Sequence, residues 1–373
     1  MKSSASYYKM RDAVCSAAIR TSRSLDEYFQ QCEGLFPTEA RDVLLSFKDG
    51  ERIFHDLSAH QSLPSRDAFI ERSSFLHSTW DFSEKTSQYI ADEIEKNIGR
   101  TLFLGTPSVA KKLAKKFTDF SHLIIDIDPQ RLTSINNIGI IQYDINLLSG
   151  KEFRGAFDIC VFDPPWYIHH YLHWLDVAFQ SCRAGAKIIF PLFGKLTRPS
   201  AADDREKILR RCAEFGARTE LRSGQATYKI PSFERGILER AGIHPVTWKR
   251  ADIAVVQIGK STQESLLPHI CPPAPVVESY TINDKLIELA IDRHLSNEID
   301  LWAEPPGGFQ MPNPSIRDDG NRISNMFISN GTRIICNRPI DIVRIMRDIS
   351  QRQREDQILM LEKIGFPAHV LSK

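Results

Sequence analysis

Phe157-Asp158-Ile159-Cys160-Val161-Phe162-Asp163-Pro164-Pro165-Trp166-Tyr167 reads as an apolar strand that stops on an acid, two prolines and two aromatics. The arrangement delivers three groups to one point: the Asp163 carboxylate, a Pro164 carbonyl held rigid by Pro165, and a stacking surface from Trp166 or Tyr167. Open α/β sheets bind ligands at the carboxyl ends of their strands. With both hydrogens of a planar primary amine accepted by Asp163 and Pro164, its nitrogen lone pair is steered toward an electrophile.

Outward from this run, strand-like and helical stretches alternate. Strands are predicted over 101–104, 122–127, 139–143, 157–162 and 186–191, a sixth near 218–222, and a last over 251–258. Helices are predicted over 108–117, 129–135 and 170–182, preceded by one that starts at Ser83 as N-cap and ends at Asn97 before Gly99. That alternation implies a mostly parallel sheet covered on both faces. Residues 1–75 read as short amphipathic helices (7–19, 24–32 and 38–47), with a linker at 62–66. The prolines at 268, 272, 273 and 275 mark a second join. Beyond it, 276–373 reads as a small α+β appendage with a helix over 282–295, a hairpin at Asn330-Gly331 and a charged helix over 340–363. The expected domains are therefore 1–75, 76–265 and 276–373.

The 373 residues carry a formal charge of +1, so a nucleic-acid partner would need a local basic patch. Seven cysteines without a CxxC pair argue for free thiols and against a disulfide framework. No apolar signal core and no run of membrane-spanning length is present, which leads us to expect a cytoplasmic protein with no membrane partner. Oligomeric state is not legible.

The turn Leu104-Gly105-Thr106-Pro107-Ser108 joins the first predicted strand to a helix. Gly105 permits close backbone approach, Pro107 suits the first turn and Thr106 or Ser108 could cap it, so free N–H groups would face a ligand. One glycine is a weak signal alone, and an ordinary βα turn explains it as well. Asp126 ends the second strand, where an acid commonly binds ribose hydroxyls. Asp144 and Ile145 follow the third, where an acid can accept from an adenine amino group beside an apolar neighbour. Together these residues outline a nucleoside cofactor site.

With that cofactor half in place, the chain resembles class I S-adenosylmethionine-dependent amino-methyltransferases that carry a D/N-P-P-F/Y/W motif. More closely it is similar to the probable N6-adenine methyltransferase family, whose eukaryotic members include protein-lysine methyltransferases acting on an elongation factor. The resemblance rests on Pro107-Ser108-Val109-Ala110-Lys111-Lys112-Leu113, Gln142-Tyr143-Asp144-Ile145-Asn146, the run from Phe157 to Trp166, and Trp80-Asp81-Phe82-Ser83. It covers about 76–195. It implies a seven-stranded, Rossmann-like methyltransferase sheet, S-adenosylmethionine as cofactor, and Asp163, Pro164, Pro165 and Trp166 as catalytic residues. Trp166 departs from the Phe or Tyr more usual in that family and is more typical of adenine-N6 enzymes.

Three functions follow as expectations: methylation of adenine N6 in nucleic acid or a nucleotide, methylation of a protein lysine, or a catalytically silent binding subunit. The single-glycine turn motivates the last. An adenine amino group is neutral at pH 7 and two acceptors hold it directly, whereas a carboxylate beside a lysine favours the ammonium form that cannot attack. Trp166, Tyr167 and Lys195 are the expected substrate contacts, with Arg198 placed beside Lys195 to meet phosphates, and Ser232-Phe233-Glu234 on a loop over the pocket. His169 and His173 share a helical face, but no acid or cysteine accompanies them in sequence, so no metal is expected.

Overall fold

The computed structural model describes residues 4–60, 65–70, 73–77, 80–97, 99–116, 121–133, 135–244, 247–259, 271–292, 301–315 and 319–371. The chain divides into two compact units, each discontinuous in sequence: 1–62, 81–229 and 246–273 form one, and 63–80, 230–245 and 274–373 the other. This partition differs from boundaries at 75 and 265, because the N-terminal helices cluster with the sheet while 63–80 goes with the C-terminal part.

The first unit is built on seven strands: β1 (Thr101–Leu104), β2 (Leu123–Asp126), β3 (Gly139–Gln142), β4 (Phe157–Phe162), β5 (Cys182–Phe193), β6 (Arg218–Thr227) and β7 (Arg250–Gln257). Their order is β3-β2-β1-β4-β5-β7-β6. β1 to β5 pair in parallel and β7 runs antiparallel to both β5 and β6. This is the seven-stranded, mostly parallel sheet of class I methyltransferases. The chain leaves β1 outward through β2 and β3, then returns to add β4 on the other side. Leu104 therefore pairs with Ile125 on one flank and Phe162 on the other, and the crevice of the switch point opens beyond it.

Strands buried on both faces are mostly apolar, which is why β1 after Thr101 and β4 after Asp158 read as hydrophobic runs rather than alternating ones. All four residues of β1 are buried, and Phe162 of β4 stacks on Phe190 of β5 at 4.8 Å between ring centres. The helix Glu84–Glu95 begins where the sequence predicts, with Ser83 Oγ accepting from Thr86 N at 3.2 Å. The expected helix over 129–135 is shorter, Pro129–Leu132, capped by Asp128.

The N-terminal helices are Ser4–Thr21, Leu25–Gln31 and Pro37–Ser46, with a fourth, Gly50–Ser58, that the sequence did not announce. It starts behind Asp49, a left-handed residue (φ 63°) that makes no side-chain cap, so neither usual start signal is present. These helices sit against the turn after β5. Tyr7 Oη donates to the Leu196 carbonyl at 3.1 Å, Leu196 N donates to the Glu33 carbonyl at 3.0 Å, and Gly194 leaves no room for a Cβ against that carbonyl.

In the second unit a five-stranded antiparallel sheet runs in the order Val277–Ile282, Lys285–Ala290, Met326–Ile328, Thr332–Cys336, Trp302–Ala303. The hairpin expected at Asn330-Gly331 joins Met326–Ile328 to Thr332–Cys336. The helix expected over 282–295 is wrong over its described part. Asn283 and Asp284 both take positive φ (47° and 61°), and Ile282 pairs with Lys285, which makes a two-residue hairpin turn. Asn and Asp tolerate that conformation, and here they override a helical spacing of apolar residues. Residues 293–295 of that expected helix lie outside the described residues, as do 62–64 of the linker and Pro268 of the join. The charged helix over 340–363 is two helices, Pro339–Ser350 and Arg354–Lys363, broken where Gln353 is extended. Ser232-Phe233-Glu234 is the start of a helix in this unit rather than a loop, with Phe233 and Glu234 buried and Trp80 Nε1 donating to Glu234 Oε2 at 3.1 Å.

Candidate active site

The DPPW run lies at the carboxyl end of β4, directly beside the turn after β1. Asp163 N donates to the Leu104 carbonyl at 3.2 Å, which extends the β1–β4 ladder by one bond. The turn glycine, Gly105, has φ 63°, and a Cβ there would stand 3.0 Å from the Trp174 ring and 3.4 Å from the Asp163 carbonyl oxygen. A side chain is thus excluded both by backbone conformation and by Trp174. Thr106 occupies the N-cap position of the helix Pro107–Ala114 but makes no side-chain cap; its hydroxyl turns to the Val161 carbonyl at 3.4 Å. The expected cap by Thr106 is therefore not formed. Pro107 has no N–H, and Val109 N and Ala110 N both donate to the Thr106 carbonyl at 3.2 Å, which leaves the Ser108 N–H as the first-turn donor that could meet a polar ligand.

The other expected cofactor residues fall at strand ends as predicted, but two are already engaged. Asp126, 2 % exposed, accepts from Asp128 N at 2.9 Å and from Arg131 Nη1 at 3.0 Å. Arg131 also reaches Asp81 Oδ1 at 2.7 Å, so one guanidinium bridges two carboxylates. Burial pushes the Asp126 carboxyl up, and the Arg131 charge works against that rise. Asp144 accepts from Asn146 N at 2.9 Å as the cap of a short 3-10 turn, and Ile145 beside it is buried.

At the reacting end the structure adds partners that the sequence reading missed. Tyr228, just past β6, is buried and donates its hydroxyl to Asp163 Oδ1 at 2.9 Å. It is held there by the Asp81-Phe82 segment: Phe82 bridges to Tyr228, Lys229 N donates to the Asp81 carbonyl at 2.8 Å, and the Phe82 and Tyr228 rings lie 5.0 Å apart. Trp166 meets Tyr228 edge to face at 5.5 Å. The Lys249 ammonium sits 4.3 Å from the Trp166 ring centre and 4.8 Å from that of Tyr228. Asp163, Trp166, Tyr228 and Lys249 therefore form one cluster assembled from three places in the chain. No local pattern marks Tyr228 or Lys249; only the antiparallel return of β7 against β5 and β6 brings them in.

Loss of hydration raises the Asp163 carboxyl to about 7, against the opposing pull of the Lys249 charge and the Tyr228 hydrogen bond. Near neutral pH both of its protonation states are thus populated. Trp166 Nε1 is buried near the Tyr228 hydroxyl but outside hydrogen-bonding geometry, with no acceptor among the described residues.

Arg198 is not available for phosphate. It is buried, with Nε and Nη2 on Asp204 Oδ2 at 3.2 and 2.9 Å and Nη1 on the Trp166 carbonyl, and its guanidinium lies 4.3 Å from the Phe193 ring centre. Its task is to fix the backbone at Trp166. Lys195 is exposed on the same turn, and Tyr167 occupies the N-cap position of the helix Ile168–Ser181.

Residues 76–218 match the model of the family described as "Probable N6-adenine methyltransferase", in agreement with the likeness carried by the motifs. No curated protein matches the chain. Among solved structures, the branched-chain polyamine synthase C9 mutein from Thermus thermophilus, in complex with N4-aminopropylspermidine and 5'-methylthioadenosine, is 13 % identical. That match covers 70 % of this chain and 90 % of the other, with a TM-score of 0.52. The branched-chain polyamine synthase from Thermus thermophilus, in complex with the same two molecules, is 12 % identical over 71 % of this chain and 93 % of the other, at 0.49. An O-methyltransferase from Bacillus cereus in complex with SAH is 8 % identical over 50 % and 91 %, at 0.34. The first of these likenesses agrees with the fold described above. The family match and the sheet together support an S-adenosylmethionine-dependent methyltransferase. Among the described residues, no helix is long and apolar enough to cross a membrane.

Proposed function

We propose that this chain is an S-adenosylmethionine-dependent N-methyltransferase whose acceptor is an exocyclic amino group, adenine N6 in a nucleic acid or nucleotide. The observation that carries the reading is the Asp163 carboxylate, set by the Leu104 hydrogen bond at the switch point and oriented by Tyr228. Leu104 to Ser108 with Asp126, Asp144 and Ile145 would hold the cofactor. The uncapped helix start fits such a ligand, while Asp126 would share its carboxylate between Arg131 and a ribose. When bound, the cofactor supplies an electrophilic sulfonium methyl.

Asp163 and the Pro164 carbonyl accept the two amino hydrogens, and Trp166 stacks on the base. Tyr167 and Lys195 are assigned to the outer substrate contacts. Incubating the full chain with methyl-labelled cofactor and separate cell nucleic-acid and protein fractions tests the acceptor. Label in N6-methyladenine is expected, and label confined to protein would sink the adenine reading.

One observation favours a second acceptor. The Lys249 ammonium over Trp166 and Tyr228 shows that these rings accept a cation, so an alkyl amine such as a protein lysine is the alternative substrate.

Because Asp163 must be ionised to accept, transfer should fall about tenfold per pH unit below about 7 and level off above it. Tyr228→Phe removes a donor that favours the carboxylate, so the limb should move to higher pH, with a larger loss at pH 6 than at pH 9. A pH–rate profile at saturating cofactor checks both; a flat profile from pH 6 to 9 would remove Asp163 from the reaction.

A further inference from the structure

We propose that His169, His170 and Cys271 form a binding site for one zinc ion. A ring nitrogen of each histidine and the Cys271 sulfur all lie within 4.8 Å of one another. Cys271 Sγ is 3.0 Å from His170 Nδ1, and Asn146 Oδ1 stands 2.9 Å from that nitrogen and 3.3 Å from the sulfur. Bonds of about 2.0 Å from zinc to nitrogen and about 2.3 Å to sulfur separate tetrahedral ligands by roughly 3.3–3.7 Å, so small side-chain shifts suffice. Two imidazoles and a thiol suit zinc, whereas magnesium and calcium take oxygen ligands. The fourth position would be filled by the Asn146 amide oxygen or by solvent. Trp174 Nε1 donates to that oxygen at 3.0 Å and fixes the amide.

A hydrogen-bonded trio of Asn146, His170 and Cys271 would explain their own contacts but has no need of His169. It is the convergence of a second imidazole that points to a metal. The pair considered from sequence, His169 with His173 one turn later, is not the one used: His173 Nε2 turns inward to the Ile145 carbonyl at 3.0 Å. The sulfur comes instead from the segment that follows β7. Zinc would displace the thiol proton to solvent and tie that segment to the start of the helix Ile168–Ser181 and to the turn after β3.

Untagged full-length chain, stripped with a chelator and dialysed against zinc, is expected to retain about one zinc per chain. Cys271→Ser and His169→Ala should each lower the zinc retained to a small fraction of that, and zinc should raise the melting temperature of the wild type but not of the variants. Cobalt(II) titration of the wild type provides a readout that does not depend on a variant folding. A thiolate-to-cobalt charge-transfer band is expected. Cobalt bound without that band, or zinc retained undiminished by Cys271→Ser, would overturn the proposal, as would a wild type that holds no zinc.

Discussion

Asp163→Asn is expected to reduce methyl transfer by about 10³-fold while leaving S-adenosylmethionine binding within a factor of about two, and to make the folded protein more stable at pH 8. The two effects share one cause. An asparagine can still accept from Tyr228 Oη, so the cluster keeps its shape, but it is a weaker and uncharged acceptor for an amine. The stability effect follows from the raised carboxyl. The group titrates at about 7 in the folded protein against 3.8 for the free side chain, so the native state binds more protons between those values. Its contribution to stability is full below about pH 4 and is lost as pH rises through 7, leaving an ionised carboxylate that the fold disfavours. The neutral variant avoids that term. Thermal melts should show a gain on the order of 2–4 kcal/mol at pH 8 that vanishes near pH 4. Unchanged transfer, or a variant less stable at pH 8 than at pH 4 relative to wild type, would remove this account of Asp163.

Arg131→Ala should be the most damaging single change away from the reacting centre, at about 3–5 kcal/mol of stability. Its guanidinium bridges Asp126, 2 % exposed, and Asp81, and removal leaves a buried carboxylate without its counter-charge. The double change Arg131→Met with Asp126→Asn should recover most of that loss, since it removes both charges together. Urea denaturation at pH 7.5 measures both. A single change that costs less than about 1 kcal/mol would show that the bridge is solvated and weak. Folded Arg131→Ala, where it can be recovered, would also show whether Asp126 binds the cofactor better once its competing partner is gone.

The sheet was legible because parallel strands at its centre are mostly apolar, and because these βα joins end in turns with their own chemistry: Gly105 after β1, Asp128-Pro129 after β2, Asp163-Pro164-Pro165 after β4. These local signals located the strand-end residues. They could not say which side chains were already engaged. Asp126 has a buried cation, Asp144 acts as a turn cap, and Arg198 is spent on Asp204 and the Trp166 carbonyl. Nor could they find Tyr228 and Lys249, whose places depend on β7 inserting antiparallel between β5 and β6, or Cys271, whose contacts with Asn146 and His170 span more than 100 residues of sequence. In the second unit the misreading of 282–295 had a local cause, an Asn-Asp turn within a run whose apolar spacing suits a helix as well as a hairpin.

The four-residue cluster at Asp163 makes sense as a methyl-transfer site only if the neighbouring strand ends take the methyl donor. Calorimetric titration of the full chain with S-adenosylmethionine tests that most directly. One equivalent bound with a dissociation constant well below about 1 mM is the predicted result. The absence of any binding heat at millimolar cofactor, across two temperatures so that a zero enthalpy is not mistaken for no binding, would contradict it.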